Sequence, residues 1–156
     1  MGLSVSLDDQ FIFCGDSGGN IRKIRTLDME QVGVNNDHGA NRVYAVVLST
    51  DGQFLISGGR DENVRKIKTE DMSQEGVFTG HGSSIEALGI TPDDRFVFSG
   101  DMDGILIKID TSDMSEDDRL SVYPSGTRFS AIAINPGIPG VGAGRDFRIY
   151  PLILAR

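Results

Sequence analysis

A single cysteine, Cys14, stands among the 156 residues, so the chain has no internal disulfide framework to staple it. Asn-x-Ser/Thr glycosylation sites are absent as well, and the two absences together favour a reducing intracellular compartment. No apolar run approaches the roughly 18 residues of a membrane span, and the opening MGLSVSLDDQ carries no basic stretch followed by an apolar one. No membrane partner is therefore expected. Positive charge is short too: 15 Lys and Arg against 23 Asp and Glu leave a formal charge of -8 and a pI near 4.6. That balance argues against nucleic acid as a partner, because binding a phosphate backbone depends on Lys and Arg displacing its counterions. Two histidines and one cysteine offer no cluster with metal-ligand spacing, so neither a metal nor another cofactor is expected. The periodicity of an amphipathic helix is missing throughout.

What the chain does have is a core-forming share of apolar residues, 38%, and a rhythm. Three segments align without a gap: FIFCGDSGGNIRKIRTLDM from Phe11, FLISGGRDENVRKIKTEDM from Phe54 and FVFSGDMDGILIKIDTSDM from Phe96. They start 43 and then 42 residues apart, and Met29, Met72 and Met114 keep the register. A fourth, divergent copy runs GVGAGRDFRIYPL from Gly140. Each unit reads as short strands separated by turns: VYAVVL or IEALGI, then STDG or TPDD, then FLIS or FVFS, then a Gly/Asp turn and a third strand. GVFTG and LSVYPSG supply a fourth strand. The approximate units are residues 1–36, 37–79, 80–124 and 125–156, forming one all-β domain.

Four strands in about 42 residues match the blade of a β-propeller. The residues resemble the WD-repeat family: Gly80-His81 matches its Gly-His start, and Asp51-Gly52 and Asp93-Asp94 match its Pro-Asp-Gly turn. Asp61, Asp103 and Asp146 match its Asp after the second strand. The resemblance implies blades of four antiparallel strands, about 3.5 to 4 of them. As written, the sequence runs from a first strand to a third strand. A ring would then be incomplete, finished by the rest of a larger propeller or by a second copy, with a self-sufficient small propeller as the third alternative. In the family, His, Ser or Thr, Asp and Trp staple each blade by hydrogen bonds. The resemblance therefore gives structural roles to His38, Ser57 and Asp61, to His81, Ser99 and Asp103, and to Asp146. The Trp positions hold Ile24, Ile67 and Ile109, with Tyr150 in the last unit, and an Ile side chain donates no hydrogen bond. Lys23, Lys66 and Lys108 stand where an aliphatic residue is usual, and their ammonium groups are expected to snorkel outward.

The string Gly15-Asp16-Ser17-Gly18-Gly19 resembles the surroundings of the serine nucleophile in chymotrypsin-like proteases. That chemistry needs a His and an Asp that in that family precede the serine by long stretches, which are missing here. Ser17 aligns with Arg60 and Met102, so the string reads as a turn, and no catalytic residue is assigned. The turns joining strands one to two and three to four share one end of a propeller and are rich in Asp and Glu. At the opposite end the resemblance places partner contacts on Arg42, Tyr44, Arg60, Glu86, Met102, Arg128, Ser130 and Arg145. Arg and Tyr are common in binding hot spots. The expected function is a protein-protein interaction scaffold, not an enzyme, with acidic or phosphorylated peptides as candidate ligands of that end. A small-ligand or glycan-binding propeller is the alternative, with Tyr44, Phe129 and Tyr150 as its aromatic platforms. Ile for Trp and the divergent last unit resemble large WD-repeat proteins of cilia and cytoskeletal complexes, which implies a cytoplasmic setting.

Overall fold

The computed structural model describes residues 1–121, 129–134 and 149–151. Every regular element in it is a strand. The first sheet joins β1 (Leu3–Val5), β2 (Phe11–Gly15), β3 (Ile21–Arg25) and β4 (Gln31–Asn35) in chain order. The second joins β5 (Val43–Leu48), β6 (Phe54–Gly59), β7 (Val64–Lys68) and β8 (Gln74–Phe78). The third joins β9 (Ile85–Ile90), β10 (Phe96–Asp101), β11 (Ile105–Asp110) and β12 (Ser115–Ser121). A two-stranded ladder of β13 (Ile132–Ile134) and β14 (Ile149–Pro151) follows. All pairings are antiparallel, and β1, β5, β9 and β13 touch in succession, so the sheets fan out from their first strands. Among the described residues the ring does not close.

Local sequence makes each hairpin. In the first turn of each sheet a Ser or Thr and an Asp two residues later form the same network. Ser6 donates to Asp8, Ser49 to Asp51 and Thr91 to Asp93, and each Asp accepts the amide N–H two residues on, at Gln10, Gln53 and Arg95. The side chain thus satisfies backbone groups that a tight turn leaves unpaired.

Packing between sheets repeats with equal fidelity. The row Leu48–Leu55–Ile67 of the second sheet is buried with Phe13 and Ile21 of the first. Likewise Ile90–Val97–Ile109 of the third lies against Ile56 and Val64 of the second. Close approach is secured by glycine: a Cβ on Gly15 would lie 2.5 Å from Val43, one on Gly58 2.6 Å from Ile85, and one on Gly100 2.5 Å from Phe129.

Two further devices lock the seams between the three four-stranded sheets. Met29, Met72 and Met114 occupy the left-handed region, with φ of 58°, 62° and 57°. That conformation costs a non-glycine residue about 1 kcal/mol or more. Its return is visible at Met72 and Met114, which are buried in the neighbouring sheet against Gly33 and Gly76; a Cβ on either glycine would come within 2.8 Å of the methionine Cγ. The second device is lysine. Lys23 Nζ donates to the Thr69 carbonyl at 2.7 Å and Lys66 Nζ to the Thr111 carbonyl at 3.1 Å, each reaching into the next sheet. These two ammonium groups do not snorkel outward, whereas Lys108 Nζ pairs with the exposed Asp117 of its own sheet. A bulge at the lysine shifts the pairing of strands three and four in all three sheets, and the charge lies over Phe11, Phe54 and Phe96 in turn.

Candidate functional site

The loops leading into β5 and β9 and the turns between the second and third strands gather at one end of the sheets. Their backbones are sewn together: Val43 N donates to the Asp16 carbonyl at 3.1 Å, Arg60 N to Arg42 at 2.9 Å and Met102 N to Ser84 at 3.0 Å. Beneath this end lie two Ser–His–Asp sets. His38 Nδ1 is 2.7 Å from Asp61 Oδ1, and its Nε2 is 2.8 Å from Ser57 Oγ. His81 Nδ1 is 2.9 Å from Asp101 Oδ2, and its Nε2 is 2.7 Å from Ser99 Oγ. A neutral ring that donates from Nδ1 to the carboxylate leaves Nε2 to accept the serine O–H.

The carboxylate in the third sheet is Asp101, where the repeat pattern pointed to Asp103. The reason is steric and local. Asp101 Oδ1 accepts the amide N–H groups of Asp103 and Ile105, leaving Oδ2 for His81, while the Asp103 side chain is exposed. Asp16 organises the first sheet's turn in the same way, through Gly18 and Asn20. The second sheet carries Gly59 at that place, where a Cβ would meet the Arg42 carbonyl at 2.4 Å, so its acid comes from Asp61. Asp146 lies outside the described residues.

Connectivity of this kind is also what hydrolases use, but here both serines are completely buried and no substrate can reach them. The sets act as staples between each lead-in and its second strand. Burial alone would raise the Asp61 carboxyl, yet hydrogen bonds from His38 and Arg65 outweigh it and hold the group at about 2. Burial pushes the His81 imidazole below its ordinary value, opposed by its bond to Asp101. Ser17, the serine of the protease-like string, sits exposed in its turn.

Of the residues assigned to partner contact, the structure joins Arg42 and Arg60 through their backbones and exposes both. Tyr44 and Glu86 hold equivalent positions on β5 and β9 and are half-buried, as is Met102. Ser130 is exposed before β13, and Arg128 and Arg145 lie outside the described residues. Charge pairing separates the arginines. Arg22 is paired with Asp16, Arg25 with Asp28, Arg65 with Asp61, Arg95 with Asp110 and Arg119 with Glu116. Among the described residues, only the Arg42 and Arg60 guanidinium groups are left without a hydrogen bond or ion pair. Asp61, adjacent to Arg60, is already held by His38, Arg65 and Asn63. The aromatic platform of the glycan alternative loses one member, because Phe129 is buried against Gly100.

Radially arranged four-stranded sheets, stapled by His, Ser and Asp beneath a face of loops, define a β-propeller of the WD type. The family model for WD40, described as WD domain, G-beta repeat, matches residues 29–66 and 72–110. The chain belongs to the WD-repeat β-propeller family. It is similar to two solved structures, the structure of U3-55K and the crystal structure of RRP9 WD40 repeats, each at 20% identity with a TM-score of 0.78. Both alignments cover 84% of this chain, and 41% and 40% of the respective solved chains, so this chain spans about two fifths of their length. No curated protein matches in sequence.

Proposed function

We propose that the chain works as a protein-interaction scaffold whose loop end takes an acidic or phosphorylated peptide between Arg42 and Arg60. The observation that carries this reading is the pairing census: five described arginines are spent within their own blades, and the two left over stand together on the end where loops converge. A guanidinium with no internal partner keeps its fork of donors for a carboxylate or phosphate, and such charge-assisted bonds are about twice as strong as neutral ones. Glu62, exposed on the same turn as Arg60, and Asp103, exposed on the β10–β11 turn, limit the positive field around the two arginines and favour a short acidic segment over a long one. Half-buried Tyr44 offers an apolar flank.

The test is a phosphoserine peptide array probed with the chain and with its Arg42→Ala/Arg60→Ala variant. The double substitution weakens capture of the preferred peptides by at least about tenfold, the loss of two charge-assisted bonds, while the thermal midpoint is unchanged. Full affinity in the variant would remove the proposal.

A further inference from the structure

The turn between the third and fourth strands has one backbone shape in all three sheets, but its charges differ. In the first sheet Arg25 opens the turn and Glu30 closes it, the Arg25 N–H donating to the Glu30 carbonyl at 2.8 Å. The Arg25 guanidinium is gripped by two carboxylates, Asp28 at 2.8 Å and Glu30. Lys68 and Ser73 hold the same two places in the second sheet, joined by the same backbone bond at 2.9 Å, with Asp71 in the place of Asp28. One acid of the grip is therefore missing. Asp71 is occupied with the serine instead, accepting its O–H at 2.6 Å and its N–H at 3.0 Å. Those bonds from Ser73 hold the Asp71 carboxyl below its ordinary value, with the Lys68 charge contributing less. Lys68 is left exposed with no hydrogen bond or ion pair among the described residues, whereas Lys23, Lys66 and Lys108 are each held by a carbonyl or a carboxylate.

We propose that Ser73 is a phosphorylation site, and that its phosphate completes around Lys68 the two-acid grip that Asp28 and Glu30 make around Arg25. The serine is exposed at the head of β8, the outer strand of its sheet, and Gln74 and Glu75, exposed as well, follow it. A serine followed by glutamine and then an acid is the pattern read by one class of protein kinase, those directed to Ser-Gln. Arg65 Nη1 donates to Gln74 Oε1 at 2.6 Å, a surface contact that the kinase displaces. In the transfer the bond from Ser73 Oγ to phosphorus forms as the bond from the γ-phosphorus of ATP to its bridging oxygen breaks. ADP leaves, and the hydroxyl proton passes to the general base of the kinase.

A phosphoserine carries a charge of about -1.5 to -2 near neutral pH and three strong acceptor oxygens, so it draws an ammonium group more strongly than a carboxylate does. The first sheet shows that the turn holds an acid at this place. The third sheet supplies the contrast: Ser115 is paired with Asp110, which stands where Lys68 does, and its N–H donates to Asp113 at 2.9 Å. A phosphate on Ser115 would meet two carboxylates and no free cation. Only the second sheet combines an acceptor hydroxyl with an unclaimed lysine. Phosphorylation there withdraws Lys68 from solvent and turns that end of the blade more acidic.

The experiment treats the full chain with ATP and a purified Ser-Gln-directed protein kinase, and maps phosphate by mass spectrometry beside a Ser73→Ala control. Phosphate is expected on Ser73. Lysines of the modified and unmodified chains are then acetylated with acetic anhydride in limiting amount, and the rate at each is read by mass spectrometry. Lys68 reacts fastest in the unmodified chain and slows by about threefold or more when Ser73 is phosphorylated, since a paired ammonium group gives up its proton less readily. Ser73→Glu, which copies Glu30, slows Lys68 by a smaller factor. Unchanged slow rates at Lys23 and Lys66 report that the blades remain folded throughout. Absence of phosphate from Ser73 overturns the proposal, and so does phosphate on Ser73 that leaves the Lys68 rate unchanged. None of these results bears on Arg42 and Arg60, which lie at the opposite end of the sheets.

Discussion

At the scale of the residue, the staple shows how one function moves between positions. Asp101 and Asp16 directly follow the second-strand glycine, and each caps its turn by accepting two amide N–H groups. Asp61 stands two places later in its own unit because Gly59 cannot carry a side chain against the Arg42 carbonyl. Replacing Asp101 by Ala strands a buried imidazole and two turn amides, and we expect a loss of about 2 to 3 kcal/mol. The same change at exposed Asp103 should cost about 0.5 kcal/mol or less. Urea denaturation of both variants at neutral pH checks the contrast; equal losses would return the role to Asp103. The sequence alone favoured Asp103 because an ungapped alignment weighs register, whereas the choice of acid depends on which carboxylate reaches a ring fixed some twenty residues earlier.

At the scale of the element, strands three and four of each blade carry the seam. Gly76→Val would drive a branched side chain into Met114 at the position where even a Cβ lies 2.8 Å from its Cγ. Overpacking of this kind costs about 1 to 3 kcal/mol. Shortening the knob by Met114→Ala in the Gly76→Val background should recover part of that loss, so the double-mutant cycle in urea departs from additivity. Additive losses would mean that the two side chains do not share the notch. The turns at STDG and TPDD were readable in advance, because the bonds that form them run within five residues. The roles of the methionines and lysines were not. Their identical spacing was plain in the sequence, but a positive φ and a carbonyl 45 or 46 residues away have no local signal, and long cationic side chains ordinarily seek water.

At the scale of the molecule, stacked blades that touch only their neighbours share stability across seams, so protonation at one staple is felt in the unfolding of the array. Asp61 sits at about 2 in the folded chain against an ordinary 3.8, so its contribution is complete above 3.8 and is lost as pH falls through about 2. The amount is of the order of 2 kcal/mol. His81 acts in the same direction at milder pH. Its folded value lies below 6.5, so stability is complete above 6.5 and declines below it, as the unfolded ring takes up a proton that the buried ring refuses. Urea midpoints measured from pH 8 to pH 2 should therefore fall in two stages, and His81→Gln should flatten the first; an unbroken plateau down to pH 4 would contradict the His81 assignment. The all-β architecture was legible because a three-fold internal alignment constrains every strand at once. The arginine pair was named among eight candidates, but its distinction is a matter of which partners the other arginines had already taken, and that is settled only in three dimensions. The seam, finally, bears on ancestry. Lys23 with Thr69 and Lys66 with Thr111, and Met72 with Gly33 and Met114 with Gly76, are one handshake made twice. Recombination that drops the middle unit would bring Met114 to Gly33 and Lys23 to Thr111, a matched join. A gene built this way can lengthen or shorten by whole units in one event, with no compensating change elsewhere.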